Sequence, residues 1–246
     1  MRAYVLHLTR ATKRRDNATA LLKNCGLAGL VWPAIDGAAT DGAELRFNYR
    51  RHLFTPAYPH ELRVGELGCF ASHRAIWADM QTRPEEAALI LEDDAGIDPA
   101  LLPDALDLAA RHVQRLGYIQ LQTRGRIGRA VVFDRCGACI LSLPVVPGLR
   151  TTAQVVSRSA AAHLLEHSET FDRPVDTWLQ SHWHTGIRPA VIYPSGILEM
   201  EDKLHGSTIQ IKKKSLREKA NREVLRALYR LAVRRAAAIS DAPHPE

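Results

Sequence analysis

The chain has 246 residues, 46% of them hydrophobic and 24% charged, with a formal net charge of +6. That balance excludes wholesale disorder, and the length suits one large α/β domain or a domain with an appendage. No apolar run approaches the length of a membrane span, and Met1 leads into Arg2-Ala3-Tyr4-Val5-Leu6-His7-Leu8, too short and polar for a signal peptide, so a cytoplasmic protein is expected.

The charge is uneven. Residues 212–235 carry ten Lys or Arg against Glu218 and Glu223, which leaves the rest of the chain near −2. The basicity belongs to a C-terminal element and says nothing about the main domain's ligand. Cys25, Cys69, Cys136 and Cys139 do not make a disulfide framework in a cytosolic chain of this size. Cys136-Gly137-Ala138-Cys139 has the spacing of a zinc ribbon but lacks a second ligand pair, so it reads as a turn between two strands.

Residues 2–8 alternate and are rich in β-formers, which predicts a first strand, followed by a helix over 12–25 stopped by Gly26. A second strand over 30–35 closes at Asp36-Gly37, and this β-α-β opening predicts a parallel sheet with helices on its faces. Residues 38–64, with Phe47, Tyr49, Phe54 and Tyr58 but weak periodicity, predict a long loop over the sheet edge. Helical spacing over 65–81 puts Cys69, Ser72, His73, Ile76 and Met80 on one face. Helix must give way before Pro84, so 87–91 is a strand. Then come a helix over 99–116, a strand over 118–122, two strands within 131–143, a strand over 151–156 and a helix over 158–167. Arg173-Pro174-Val175-Asp176 opens a helix to about residue 184, and 190–193 is a last strand.

The strand over 87–91 runs into Glu92-Asp93-Asp94. Three adjacent carboxylates at the end of a buried strand each need a partner if desolvated, and a divalent cation is an economical one. In an extended segment Glu92 and Asp94 share a face while Asp93 points away, a geometry suited to a hard cation completed by water and substrate phosphates. In open α/β sheets ligands bind beyond the carboxyl ends of strands, where these residues fall. In the 65–81 helix, Gly68, Ala71 and Ser72 allow close packing, while Ser72 and His73 bring polar groups to the buried side. Read alone, His73 is a satisfied core histidine, a ligand or a proton relay.

Three segments in order and spacing resemble glycosyltransferase family 25: Gly65-Glu66-Leu67-Gly68-Cys69 with Ser72-His73, then Leu91-Glu92-Asp93-Asp94, then Arg173-Pro174-Val175-Asp176. The resemblance covers roughly residues 1–210. It implies a GT-A-type nucleotide-diphosphosugar transferase fold, Rossmann-like, with a mostly parallel central sheet flanked by helices. The implied reaction is a metal-dependent, inverting transfer of a hexose, commonly galactose from UDP-galactose, to a saccharide acceptor of a lipooligosaccharide or other surface glycan. Mn²⁺ or Mg²⁺ is the expected cofactor. By this resemblance Asp94 is the foremost metal ligand, with Glu92 beside it, Asp93 binds donor hydroxyls, Ser72 is a further donor-binding residue, and Thr9 and Arg10 lie near the nucleotide base. Asp176 is the leading general base and His73 the second choice. From the polar stretch 199–209, His205 could complete the metal shell and Lys203 could touch the diphosphate. The chain departs from the family where members usually carry Gly-Thr and an aromatic, because it reads Arg150-Thr151-Thr152-Ala153-Gln154.

Residues 1–210 therefore form the expected transferase domain and 211–246 a basic amphipathic helix and tail. That helix places Ala220, Val224, Leu225, Leu228, Leu231 and Ala232 on one arc and Lys219, Arg222, Arg226 and Arg230 opposite. It suits peripheral contact of residues 212–235 with an anionic membrane, or docking on the domain with a solvated basic face. The rival readings are a metal-dependent nucleotide-sugar hydrolase, a transferase of another sugar, or a non-enzymatic basic module. A nucleic-acid partner is not expected, because the acidic cluster repels phosphate unless a cation intervenes.

Overall fold

Alternation along the first strand, β1 (Arg2–His7), sends Ala3 and Val5 to one face of a sheet and Tyr4 and Leu6 to the other, and all four are buried. Both faces of this sheet are therefore covered. The computed structural model describes residues 1–46, 48–125, 128–200 and 216–240.

A 3-10 turn (Thr12–Arg14) and α1 (Arg15–Asn24) connect β1 to β2 (Gly29–Pro33), and the short α2 (Gly42–Arg46) precedes the long α3 (Val64–Gln81). Then follow β3 (Ala87–Glu92), β4 (Ala95–Ile97), α4 (Leu102–Leu116), β5 (Tyr118–Leu121), β6 (Ala130–Cys136) and β7 (Cys139–Pro144). The second half adds β8 (Ala153–Ser157), α5 (Arg158–His167), α6 (Val175–Gln180), α7 (His182–Thr185), β9 (Ala190–Tyr193), β10 (Ile197–Glu199) and α8 (Leu216–Ala238).

Eight strands form one sheet in the order β2-β1-β3-β8-β5-β9-β7-β6, and β10 pairs with β4 in a small second sheet. The fold is α/β and Rossmann-like. Pairings β1–β2, β1–β3 and β5–β9 are parallel, whereas β8 runs against both β3 and β5, and β7 against both β9 and β6. Six strands thus point one way and two are reversed, so the expected parallel sheet is in fact mixed. The reversal of β7 follows from the Gly137-Ala138 turn, which is too short for anything but an antiparallel hairpin; Gly137 takes φ 52° there. Cys136 and Cys139 close this hairpin as free thiols.

Two apolar layers sandwich the sheet. Leu89 and Leu91 pack with Leu21 of α1 and with Ala105, Leu108 and Val113 of α4, whereas Ala88 and Ile90 pack with Phe70, Ile76 and Trp77 of α3 and Trp178 of α6. Residues 38–64 join the second layer through Leu45, Tyr49 and Leu62 instead of merely crossing the sheet edge. The expected helix over 173–184 divides at Ser181 into α6 and α7. Just before it, Arg173 is fully buried, paired with Asp172 at 2.6 Å and donating to the Phe54 and Pro56 carbonyls and to Ser181 and Tyr229.

No described helix is long and apolar enough to cross a membrane. The last helix, α8, docks on the domain, burying Val233 and Ala237, while Tyr229 receives Arg173 and meets Tyr58 edge to face at 5.5 Å. Its orientation corrects the sequence expectation. The arc of Val224, Leu225, Leu228 and Leu231 is exposed, and it is the side carrying Arg222, Arg226 and Tyr229 that faces the domain. Docking is directed by the Tyr229–Arg173 hydrogen bond and the tyrosine pair, which an apolar count overlooks. Val233→Asp would bury a carboxylate at this contact at a cost of several kcal/mol. Limited trypsin digestion should then cut within α8 much faster than in the parent while residues 1–200 stay protected.

Candidate functional site

A cleft of about 590 Å³ opens at the carboxyl ends of β1 and β3, lined by Glu92, Asp93 and Asp94 together with Arg14, Asp36, Cys69, Thr151 and Asp176. Its shape depends on a close approach. A Cβ on Gly68 of α3 would lie 2.6 Å from the Ile35 carbonyl oxygen and 2.8 Å from the Gly37 nitrogen, so only glycine lets α3 sit against the loop after β2. Ser72 secures the same contact, accepting from the Ile35 N–H at 2.8 Å and donating to the Gly68 carbonyl at 2.7 Å.

The three carboxylates do not share the alternation expected of them, because β3 ends at Glu92 and a turn takes over. Glu92 follows Ala88 and Ile90 to the α3 side. Asp93 and Asp94 instead share Arg14, which is only 6% exposed and donates through Nη1 to Asp93 Oδ1 at 3.0 Å and Asp94 Oδ2 at 2.9 Å. His7 Nδ1 meets the other oxygen of Asp93 at 2.8 Å, and Asn17 donates to the Asp93 and Ala95 carbonyls, each at 2.8 Å. Burial alone would push Arg14 down, but Asp94 and Asp93 hold its guanidinium above its ordinary value.

On the α3 side, a polar chain crosses the otherwise apolar layer. Tyr118 donates to Gln154 Oε1, Gln154 Nε2 lies 3.2 Å from His73 Nδ1, and His73 Nε2 faces Glu92 Oε1 at 4.0 Å. The two ring nitrogens of His73 thus look in opposite directions, Nδ1 to Gln154 and Nε2 to Glu92. Thr151 donates to the same Glu92 oxygen at 2.6 Å, and Glu92 N–H donates to the Thr152 carbonyl at 2.9 Å. Burial pushes Glu92 up, yet the nearby His73, the hydrogen bond from Thr151 and the charge of Arg14 hold its carboxyl below the ordinary range.

Asp176, in the first turn of α6, experiences the reverse. Its Oδ1 accepts from the Thr177 N–H at 2.6 Å and hydroxyl at 3.1 Å, and its Oδ2 from the Arg150 N–H at 3.2 Å. Burial nevertheless raises its affinity for a proton, and the neighbouring Glu92 charge adds to the rise. Arg150 sits at φ 86°, a conformation that favours glycine.

The remaining sequence candidates divide. Arg10 lines the cleft and pairs with Asp36 at 2.6 Å, whereas Thr9 is exposed and outside the lining. Asp93 lines the cleft with both carboxylate oxygens engaged by Arg14 and His7. His73 is fully buried behind Glu92. Lys203 and His205 lie outside the described residues. Sequence reasoning missed Arg14, His7, Asn17, Thr151 and Gln154; the visible signal was a polar residue, Gln154, inside the apolar strand Ala153–Ser157.

The oxygen donors that Mn²⁺ or Mg²⁺ prefers are present in the cleft as Glu92 and Asp94, so the residues fit a hard cation completed by phosphate oxygens. A tighter set, Cys69, His73 and Glu92, has ligand atoms within 4.8 Å of one another. Burial and then the charge of Glu92 push the Cys69 thiol well up, which disfavours the thiolate that a metal would need from this set.

The strand directions and the cleft at their carboxyl ends define a Rossmann-like, ligand-binding α/β protein. The model for glycosyltransferase family 25 (LPS biosynthesis protein) matches residues 1–128, more than half of the chain, and the chain belongs to that family. Among curated relatives, a glycosyltransferase 25 family member of Drosophila melanogaster is 32% identical over 108 residues, 43% of this chain and 18% of that protein. Human procollagen galactosyltransferase 2 is 31% identical over 96 residues, 37% and 15% of the two chains. The human inactive glycosyltransferase 25 family member 3 is 34% identical over 96 residues, 37% and 16%. The matched stretch spans less than a fifth of the length of these relatives.

Arg14→Met should leave a buried carboxylate without its counter-ion and cost about 3–5 kcal/mol in urea denaturation. Adding Asp93→Asn should restore much of that loss, which a simple packing defect at position 14 would not allow.

Proposed function

We propose that the chain is a GT-A-type glycosyltransferase that moves a hexose from a UDP-sugar to a saccharide acceptor of a surface lipid glycan, with inversion. The observation that carries this reading is the pair Glu92 and Asp176 in one cleft of a family 25 member, one carboxyl held low and the other pushed up. Environments that drive two carboxyls apart assign them different tasks. Asp176, with its raised proton affinity, is the base that accepts the acceptor hydroxyl's proton as the glycosidic bond forms. Glu92 stays ionised and, with Asp94, would hold Mn²⁺ or Mg²⁺; a bound cation would neutralise charge on the departing diphosphate.

Arg14 positions both aspartates, and Arg10 with the β1 end offers the place for the nucleotide. The names of the procollagen galactosyltransferase relatives support galactose as the sugar, and the family description supports a lipid glycan acceptor. A cytoplasmic location, with peripheral contact of the exposed side of α8 at an anionic membrane, belongs to the same proposal.

Because some relatives are described as inactive, turnover decides more than binding does. UDP release from UDP-galactose should require Mn²⁺ or Mg²⁺, stop on chelation, and fall by about 100-fold or more in Asp176→Asn. Its acid limb should lie above the ordinary carboxylate range, since activity is lost as pH falls through the raised pKa of Asp176. Failure of the folded parent to bind or turn over any UDP-sugar would overturn the reading.

A further inference from the structure

A second cavity, of about 480 Å³, lies between α8 and residues 58–63 and shares Tyr58, Glu66, Leu149 and Thr177 with the reaction cleft. It therefore adjoins that cleft at Thr177, next to Asp176, and it has the size of a small-molecule site. Its lining is strongly basic. Arg63, Arg222, Arg226, Arg230 and Arg234 contribute against Glu61 and Glu66. Glu61 is already paired with Arg46 at 3.0 Å, and Glu66 accepts from the Arg63 N–H at 2.8 Å.

The arginines are poorly compensated. Among the described residues, Arg222, Arg230 and Arg234 make no hydrogen bond or ion pair, and Arg226 pairs with Glu223 at 2.5 Å. The Nε of Arg222 and the Nε2 of His60 are buried atoms with no hydrogen-bond partner among those residues. Burial, then the charges of Arg222 and Arg226, push the His60 imidazole down, as expected in a positive field. Guanidinium groups in a concave, partly dry groove match phosphate or carboxylate in bidentate fashion. Tyr58 and Tyr229 add apolar ring surface tipped with hydroxyls.

We infer that this groove is the acceptor subsite, and that it selects a saccharide bearing a phosphate or carboxylate group, whose free hydroxyl then reaches Asp176. The inference rests on the transferase reading above. A bilayer is a poorer occupant, because the groove is concave and the exposed apolar residues Val224, Leu228 and Leu231 lie on the opposite side of α8.

The test is calorimetric titration of the full chain with glucose 6-phosphate, glucuronate and glucose, with and without saturating UDP and Mn²⁺. Both anionic sugars should bind roughly tenfold or more tightly than glucose, and UDP should not displace them. Arg230→Gln should weaken their binding by roughly tenfold, whereas Arg235→Gln, an equal charge loss on the same helix outside the groove, should change it less than about twofold. Equal binding of charged and neutral sugars, or displacement by UDP, would overturn the inference. So would an equal loss in Arg235→Gln, which would mark diffuse charge of the kind that meets an anionic bilayer. UDP binding is read in the same titrations. If UDP fails to bind while the sugar anions do, the transferase reading falls and takes the acceptor assignment with it; if UDP binds and the sugar anions do not, the groove assignment alone falls.

Discussion

Three carboxylates at the end of a fully buried strand repel one another, and the fold meets that repulsion from two directions. Arg14 enters from the 3-10 turn after β1 and bridges Asp93 and Asp94. His73, through Gln154 and Tyr118, and Thr151 approach Glu92 from α3 and β8. The acidic turn can exist only because β1, α3 and β8 are already packed on β3, since removing any one counter-group would leave a desolvated charge uncompensated. Site and fold are in this sense inseparable, and the close approach at Gly68 is part of both.

The consequence is a division of labour inside one cleft. Asp93, saturated by Arg14 and His7, fixes the turn. Glu92, its carboxyl held low, and Asp94, bridged to Asp93 by Arg14, both line the cavity. Asp176 lies across from them with mainly backbone donors for company and an elevated proton affinity. An arrangement that holds one carboxyl ionised and another ready for a proton serves chemistry in which charge leaves at one end of a substrate and a proton leaves at the other.

Local pattern carries much of the fold. The β1, α3, β3, α5 and β9 segments are legible because alternation, helical spacing and Pro84 fall within single elements. The β4–β10 pair is not, because three-residue strands carry no period and pair across about a hundred residues. Reversal of β8 is hidden for the same reason: strand direction is a property of neighbours. At the site, Glu92 and Asp94 can be named from residue type and spacing and Asp176 from the family resemblance, but the partners of Asp93 cannot. Arg14 sits in an ordinary Lys-Arg-Arg run, and nothing local distinguishes the one guanidinium that turns inward. The side of α8 that faces the domain is equally illegible, because an apolar count has no knowledge of Tyr229 reaching Arg173.

The family match ends at residue 128, while Thr151, Gln154, Asp176, Glu199 and all of α8 lie beyond it. The acidic turn, Arg14 and α3 lie within the matched residues, and the opposite side of the cleft, like the α8 wall of the basic groove beside it, is built from residues after them. Arg150 lies on that side: it occupies a backbone conformation made for glycine, presents its N–H to Asp176 and pairs its side chain with Glu199. The two stretches meet in the cleft, where the carboxyl of Asp176, pushed up by burial, senses the charge of Glu92, itself held low.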